Sequence, residues 1–506
     1  MSESASGLAL DRRSFLRVGA GAITAVALSP LEALGSEWDL VIVGAGTAGL
    51  PAAIAAARRN LNVLVVEKAS QMGGTLWISG GQMSAAGTFA QSELGIEDRP
   101  EDHLSDILRI SEGTADRELA SLAVAHAADT VDWLMTNGLK LNDSSPTVGT
   151  GHEQYGKPRV YAPENRGLST LNILRALVNE AKPSILYEAE AVELIISRNT
   201  VAGVVVRMRD GLQRDILARN VLIASGGHNG NPRMFRDLHD VPLYRQPAVS
   251  ANVGTGIELA LQAGGYCRGG HNYLCDFGSI PASFEWPSPE FGRSSHHPHR
   301  RPPWEIYVNV DGERFLREDE PSVHQREIGL LKQPMQRYWT IFDRKVLEES
   351  PPLVRSAPPS LMMWSNRELT RLFGKRPAFE RGESLEELAR RIGVPAATLI
   401  ETVRRYNEGQ SSGEDWLGRQ HMPVALKNPP FYAICHQGST LLSFSGVAVN
   451  QKLQLIRKSG EAIRNVYAAG EVLGFGNVSG RAYCGGMGVT PALTFGRMLG
   501  QRLAAS

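Results

Sequence analysis

The stretch Trp38-Asp39-Leu40-Val41-Ile42-Val43-Gly44-Ala45-Gly46-Thr47-Ala48-Gly49 decides the fold. Residues 38–43 are a short, β-branched apolar run, as a strand buried on both faces of a parallel sheet requires. Three glycines follow in the order GxGxxG, and then a helical run, LPAAIAAARRN. Gly44 permits a tight turn, Gly46 lets backbone approach a pyrophosphate, and Gly49 packs helix on strand. The helix start offers amide donors and a positive dipole end. A second strand, Asn62-Val63-Leu64-Val65-Val66, ends in Glu67, 18 residues past Gly49. A carboxylate there can accept from an adenosine ribose hydroxyl. A lone GxGxxG is weak, but strand, glycines, helix, strand and acid in order are strong. An acid at 67 also argues against a ribose 2′-phosphate. The expected fold is α/β, with a Rossmann-like nucleotide domain.

The motif alone leaves NAD and FAD open, and the next segment separates them. Lys68-Ala69-Ser70-Gln71-Met72-Gly73-Gly74-Thr75 is followed by Ile78-Ser79-Gly80-Gly81-Gln82-Met83. Two glycine pairs with small hydroxyls let backbone run along a long ligand, which points to FAD. Near the other end, Val466-Tyr467-Ala468-Ala469-Gly470-Glu471 reads as a strand ending in Gly-Glu. A glycine-rich loop leads to Thr490-Pro491-Ala492-Leu493, a helix start with proline in its first turn. Amides there can face the pyrimidine edge of a flavin and stabilise its reduced, anionic form. Glu471 can bind the ribityl hydroxyls. Both chain ends are therefore expected to build one discontinuous cofactor domain.

Composition narrows the partners. Among 506 residues, 53 Lys and Arg balance 53 Asp and Glu, so no global field would steer nucleic acid to the chain. Four cysteines (Cys267, Cys275, Cys435, Cys484) form no CxxC pair, which argues against structural zinc, c-type haem and iron–sulfur clusters. Electrons must then pass to a quinone, a cytochrome or other separate carrier, or dioxygen. Cys267 and Cys275 are a possible pair in an oxidising compartment. Residues 1–35 read as an export leader of the twin-arginine type, with Arg12-Arg13, a short apolar run and small residues near Ala33. A periplasmic or secreted location is expected. No other stretch reaches the ~18 apolar residues of a membrane span.

Further pieces carry a resemblance: Ala224-Ser225-Gly226-Gly227, Asn252-Val253-Gly254-Thr255-Gly256, Val308-Asn309-Val310-Asp311-Gly312-Glu313-Arg314-Phe315, and Gly480-Arg481-Ala482-Tyr483. With the motifs above they span about 37–500, and the chain resembles the flavoprotein family of fumarate reductases, soluble flavocytochrome c and 3-ketosteroid Δ1-dehydrogenases. The resemblance implies an FAD-binding domain (37–272 and 437–506) and an inserted α+β capping domain (273–436), with substrate between them. The cofactor residues so expected are Gly44, Gly46, Thr47, Ala48, Gly49, Glu67, Lys68, Gly73, Gly74, Thr75, Ser79, Gly80, Gly81, Val192, Ser225, Gly226, Gly227, Gly470, Glu471, Pro491, Ala492 and Leu493.

The family moves a hydride between a substrate carbon and flavin N5, and a proton on the adjacent carbon. A C=C bond next to a carbonyl or carboxylate is made or reduced. This needs an acid–base group over one face and donors on the activating oxygen. Fumarate reductases place an arginine proton donor four residues past the glutamate of an RFxxE-like motif, and ketosteroid dehydrogenases place a tyrosine there. Here the motif is Arg314-Phe315-Leu316-Arg317-Glu318 and the matching residue is Ser322, a poor base for a C–H proton. His324 and Arg326 are the neighbouring candidates. Where fumarate reductases carry a substrate-binding histidine, this chain has Leu442, with His436 nearby. The tail GRAYCGGMG is closer to a ketosteroid-dehydrogenase GRxYPGAG pattern. It assigns Tyr483 to a keto oxygen, with an amide near Gly486–Gly488; Arg481 is the alternative, as a carboxylate ligand. Tyr155 is a candidate second hydroxyl, and His296-His297-Pro298-His299 reads as a surface loop, not a metal site. The leading expectation is dehydrogenation of a cyclic, fairly apolar ketone. The alternative is reduction of an unsaturated carboxylic acid. A non-catalytic flavin scaffold stands third.

Overall fold

The computed structural model describes residues 38–149, 151–246, 252–294, 300–357 and 362–503. The leader and the His296–His299 cluster lie outside them. The strand Trp38–Val43 sits inside an eight-stranded sheet, parallel to Val63–Val66 on one side and to Gln213–Ile223 on the other. Ser184–Leu186 extends it beyond Val63–Val66, and Ala462–Ala468 pairs in parallel with Gln213–Ile223. Every residue of Val63–Val66 is buried, as a β-branched run covered on both faces should be.

The helix Gly49–Ala57 buries seven of its nine residues, and those are mostly small. Small side chains let a second helix approach closely. That partner is the C-terminal helix Thr490–Arg502. A Cβ on its Gly496 would stand 2.0 Å from the Ala48 carbonyl oxygen, and one on Gly500 2.3 Å from that of Ala52. Chain ends more than 400 residues apart thus meet around one strand–helix turn. The helix begins at Gly49 and ends at Ala57, three residues before the stretch read as helical does. The Gly73-Gly74 segment, read as loop, continues into a short 3-10 turn, Gly74–Trp77.

A separate antiparallel sheet, in the order Ile306–Asn309, Arg337–Asp343, Phe431–Gln437, Phe379–Gly382, has its own hydrophobic core. That core is drawn from residues between Ile280 and Cys435. Cys267 and Cys275 are both free thiols; Cys275 is buried, and its Sγ lies 4.0 Å from the Glu327 carbonyl oxygen. No helix of the described residues is long and apolar enough to cross a membrane.

Candidate active site

The turn after the first strand is built as its glycines demand. Gly44 adopts φ +105°, and a Cβ there would lie 2.6 Å from the Ala224 carbonyl oxygen. Glu67 is oriented by two amides: Ala45 N–H and Ala69 N–H each donate to it at 2.7 Å. Among the described residues no acceptor takes the amides of Thr47, Ala48 and Gly49 at the head of the helix. Gly46 faces Gly74 across a gap in which a Cβ would meet nothing closer than 4.0 Å. Free helix amides beside an oriented acid and an open glycine face fit a dinucleotide pyrophosphate. Lys68 is engaged at the surface with Glu190, 2.7 Å away. Val192 sits at a bulge between Ala191 and Glu193. Ser79 Oγ accepts from Gly81 N, and Gly80 has nothing within 4 Å of a Cβ position.

The other half of the cradle lies around the second helix start. A narrow pocket is lined by Leu442, Gly470, Glu471, Phe475, Met487, Gly488, Pro491 and Ala492, among others. The amides of Gly488 and Ala492 have no acceptor among the described residues. Glu471 accepts from Ser443 N (2.8 Å) and Asn252 Nδ2 (3.4 Å), and burial raises its pKa above the ordinary carboxyl value. Gly226 and Gly227 close this side, since Cβ atoms there would strike Asn252 and Ser443. Ser225 Oγ is buried without a hydrogen-bond partner, and Leu493 and Thr75 continue the two helical turns that begin here and at Gly74.

The acid–base candidates gather where the second sheet's segment meets this cradle. Tyr483 is buried; its hydroxyl donates to Leu274 O (3.0 Å), and its ring stacks on His152 (5.1 Å) and Phe475 (5.9 Å). Phe475 is a wall of the pocket, so Tyr483 stands one ring behind it. Burial, then Asp276 and Glu327, push the Tyr483 pKa well above the usual tyrosine range, so the hydroxyl stays protonated. Tyr155 is buried as well, but its hydroxyl is given to Gly485 O at 2.8 Å. Arg481 donates through Nη2 to His271 O (2.6 Å).

Ser322 is engaged at a helix start. It caps the helix Val323–Leu331 by accepting from Gln325 N, and its hydroxyl donates to Glu153 Oε2 at 2.8 Å. His324, on that helix, reaches Glu112 (3.9 Å), and burial lowers its pKa. Arg326 is 2% exposed and stacks 4.7 Å from the Phe277 ring, while its Nε and Nη2 have no hydrogen-bond partner. His436 is bonded to Ser294 Oγ (2.6 Å), and burial holds its pKa down to about 3, so it is neutral. Arg301, in the run next to the histidine cluster, is buried and bidentate to Glu305 (2.8 and 2.9 Å).

Several residues here escaped the sequence reading. Arg293 pairs with Asp276 and, at 3.2 Å, with Glu290; Ser439 Oγ donates to Asp276 at 2.6 Å. His152, next to Asp276 and Arg293, is held to about 4 by burial. Glu327 is buried among them. A signal existed. In Val323-x-x-Arg326-Glu327-x-x-Leu330 two charges occupy the apolar face of a helix.

A mixed sheet with a parallel centre, two helix starts whose leading amides have no acceptor among the described residues, and buried titratable side chains fit a dinucleotide-dependent redox protein. A family model described as "FAD binding domain" matches residues 39–489. The chain belongs to this family and is an FAD-dependent oxidoreductase acting on CH–CH groups. It is similar to a "Probable fumarate reductase Ifc3" of Shewanella frigidimarina, 28% identical over 488 residues, covering 95% of this chain and 76% of that one. The open conformation of a flavocytochrome c3 fumarate reductase superposes with a TM-score of 0.69 at 26% identity, over 93% of this chain and 78% of that chain. A 3-ketosteroid delta1-dehydrogenase from Sterolibacterium denitrificans shares the fold, with a TM-score of 0.71 at 20% identity over 93% and 99%.

Proposed function

We propose that this chain moves hydrogen across the Cα–Cβ bond next to a carbonyl, dehydrogenating a fairly apolar ketone. The observation that carries the reading is the buried Tyr483 hydroxyl, one ring behind the pocket wall, whose pKa burial raises. FAD, when bound, supplies or takes the hydride. Thr47 to Gly49 would hold its pyrophosphate, Glu67 its adenosine ribose, Glu471 its ribityl chain, and Gly488 and Ala492 its pyrimidine edge. The remaining glycines and hydroxyls of the expected cofactor set flank this path. Residues 273–436 would cap the site. Tyr483 turns its one proton from Leu274 O toward the substrate oxygen, and Leu442 makes the neighbouring wall apolar. The twin-arginine pattern supports export, and a separate carrier would exchange electrons with the flavin.

Tyr483→Phe keeps the ring stack and removes the donor. It is expected to lower turnover at least about tenfold, or ~1.4 kcal/mol of barrier, with FAD content unchanged. Undiminished turnover would refute this role for Tyr483.

One observation favours a second reading, reduction of an unsaturated carboxylic acid. Arg326 is a buried guanidinium with two unpartnered nitrogens, and a substrate carboxylate would satisfy them. Anaerobic titration separates the two. Cyclic ketones bleach the oxidised flavin in the first case; unsaturated acids reoxidise a dithionite-reduced sample in the second.

A further inference from the structure

The helix Val323–Leu331 carries two consecutive buried charges, Arg326 and Glu327, 2% and 3% exposed. Among the described residues neither forms an ion pair, and no donor reaches the Glu327 carboxyl. Burying two ionisable side chains without partners is costly, and folds retain that cost where the groups act. Around them every other charge is already used. Asp276 is held by Arg293 and Ser439, Glu153 by Ser322, and Glu290 by Arg245 and Arg293. Ser322 is spent on capping, and His324 on the same helix turns toward Glu112.

We propose that the Glu327 carboxyl is the acid–base group that exchanges the proton on the substrate carbon next to the carbonyl, and that Arg326 stabilises its charged form. In the reducing direction the Glu327 O–H bond breaks and its proton bonds to the α carbon. The C=C electron pair forms that bond, a hydride from reduced flavin adds at the β carbon, and Glu327 becomes a carboxylate. Dehydrogenation is the same path reversed, with the carboxylate taking the proton. The groups facing Glu327 are Asp276 and Arg293 from the strand segments, Glu153 from the loop, Arg326 on its own helix, and Tyr483, Cys275 and Cys484. Burial and then Asp276 push the Glu327 pKa well above the ordinary carboxyl value, against the pull of Arg326 and Arg293. A neutral acid ready to donate is the result.

This assignment rests on the C=C chemistry proposed above, so the test has two arms, both on FAD-loaded full chain. The first is the melting temperature of wild type and Glu327→Gln from pH 5 to 8. A carboxyl whose folded pKa is raised contributes stability that is complete below its unfolded pKa and is lost as pH rises toward the folded value. The glutamine variant should therefore gain on wild type as pH rises; a constant difference would show that Glu327 is not a buried neutral acid, and would overturn the proposal. The second arm is turnover of whichever substrate, cyclic ketone or unsaturated acid, wild type accepts. Glu327→Gln should fall at least about a hundredfold with flavin absorbance intact. Glu327→Asp should recover part of it on a displaced pH limb. That limb falls with pH if the enzyme reduces and rises with pH if it dehydrogenates. Glu327→Gln turnover within about threefold of wild type overturns the assignment alone. Wild type inert toward both substrate classes overturns the C=C reading, and the assignment with it.

Discussion

Gly49→Ala is expected to yield protein that purifies without FAD and melts earlier than wild type. A methyl group at 49 would stand 1.9 Å from the Gly44 carbonyl oxygen, 3.1 Å from its carbon and 3.2 Å from Ile42 Cγ2. The first two are backbone, so rotating a side chain cannot relieve them. Sliding the helix away is blocked on its other face, where Gly496 and Gly500 of the C-terminal helix already lie against Ala48 and Ala52. Relief must come by lifting the helix start off the strand. That start carries the free amides of Thr47, Ala48 and Gly49, so the pyrophosphate would lose its donors together. The packing cost alone is about 3 kcal/mol, the upper end for one inserted methyl in a filled core. Flavin-to-protein ratio and thermal melts read both effects. Gly151→Ala is the control, because nothing lies within 4 Å of a Cβ there. A Gly49→Ala protein with full flavin and an unchanged melt would show that this turn does not hold the cofactor.

The same turn shows which parts of the fold were legible in the sequence. The strands at 38–43 and 63–66 and the helix at 490 declare themselves because β-branched runs, glycine turns and a proline at a helix start are local signals. The approach of Gly496 to Ala48 is not local, and only the glycine of the C-terminal helix hints at it. The candidate acid–base residues were harder. Position 322 drew attention through alignment with a motif, but Ser322-Val323-His324-Gln325 is also an S-x-x-Q helix start, and the structure uses the serine as that cap. Once the helix begins there, Arg326 and Glu327 fall on its buried side. Asp276, Arg293 and His152 had no such pattern. They come from an edge, a strand and a loop, and only tertiary closure brings them to Tyr483.

The RFxxE-like motif itself turns out to hold the scaffold, and this yields the second large effect. Arg314 donates to Glu318 through Nε (2.7 Å) and Nη2 (2.6 Å), and through Nη1 to Asp415 (2.6 Å). Arg419 reaches Glu318 from the far side at 3.1 Å and donates to the Glu305 carbonyl at 2.8 Å. Glu318 also accepts from Tyr307 N at 3.1 Å, fixing the strand Ile306–Asn309. All four charged side chains are 0% exposed. Glu318→Ala would leave Arg314 with Asp415 alone and the Arg419 guanidinium with carbonyl oxygens only, both away from water. A broken buried pair of this kind costs about 3–5 kcal/mol. Denaturant unfolding should show that loss, while Glu401→Ala, at the exposed pair with Arg404, should leave stability close to wild type. FAD should be retained, since none of these residues is among those proposed to hold it. Turnover should still fall, because Glu318 lies four residues before the cap of the helix that carries Arg326 and Glu327. Equal stability of Glu318→Ala and Glu401→Ala would mean that another set of interactions positions the helix. Loss of FAD along with stability would mean that the antiparallel sheet and the nucleotide sheet unfold as one unit.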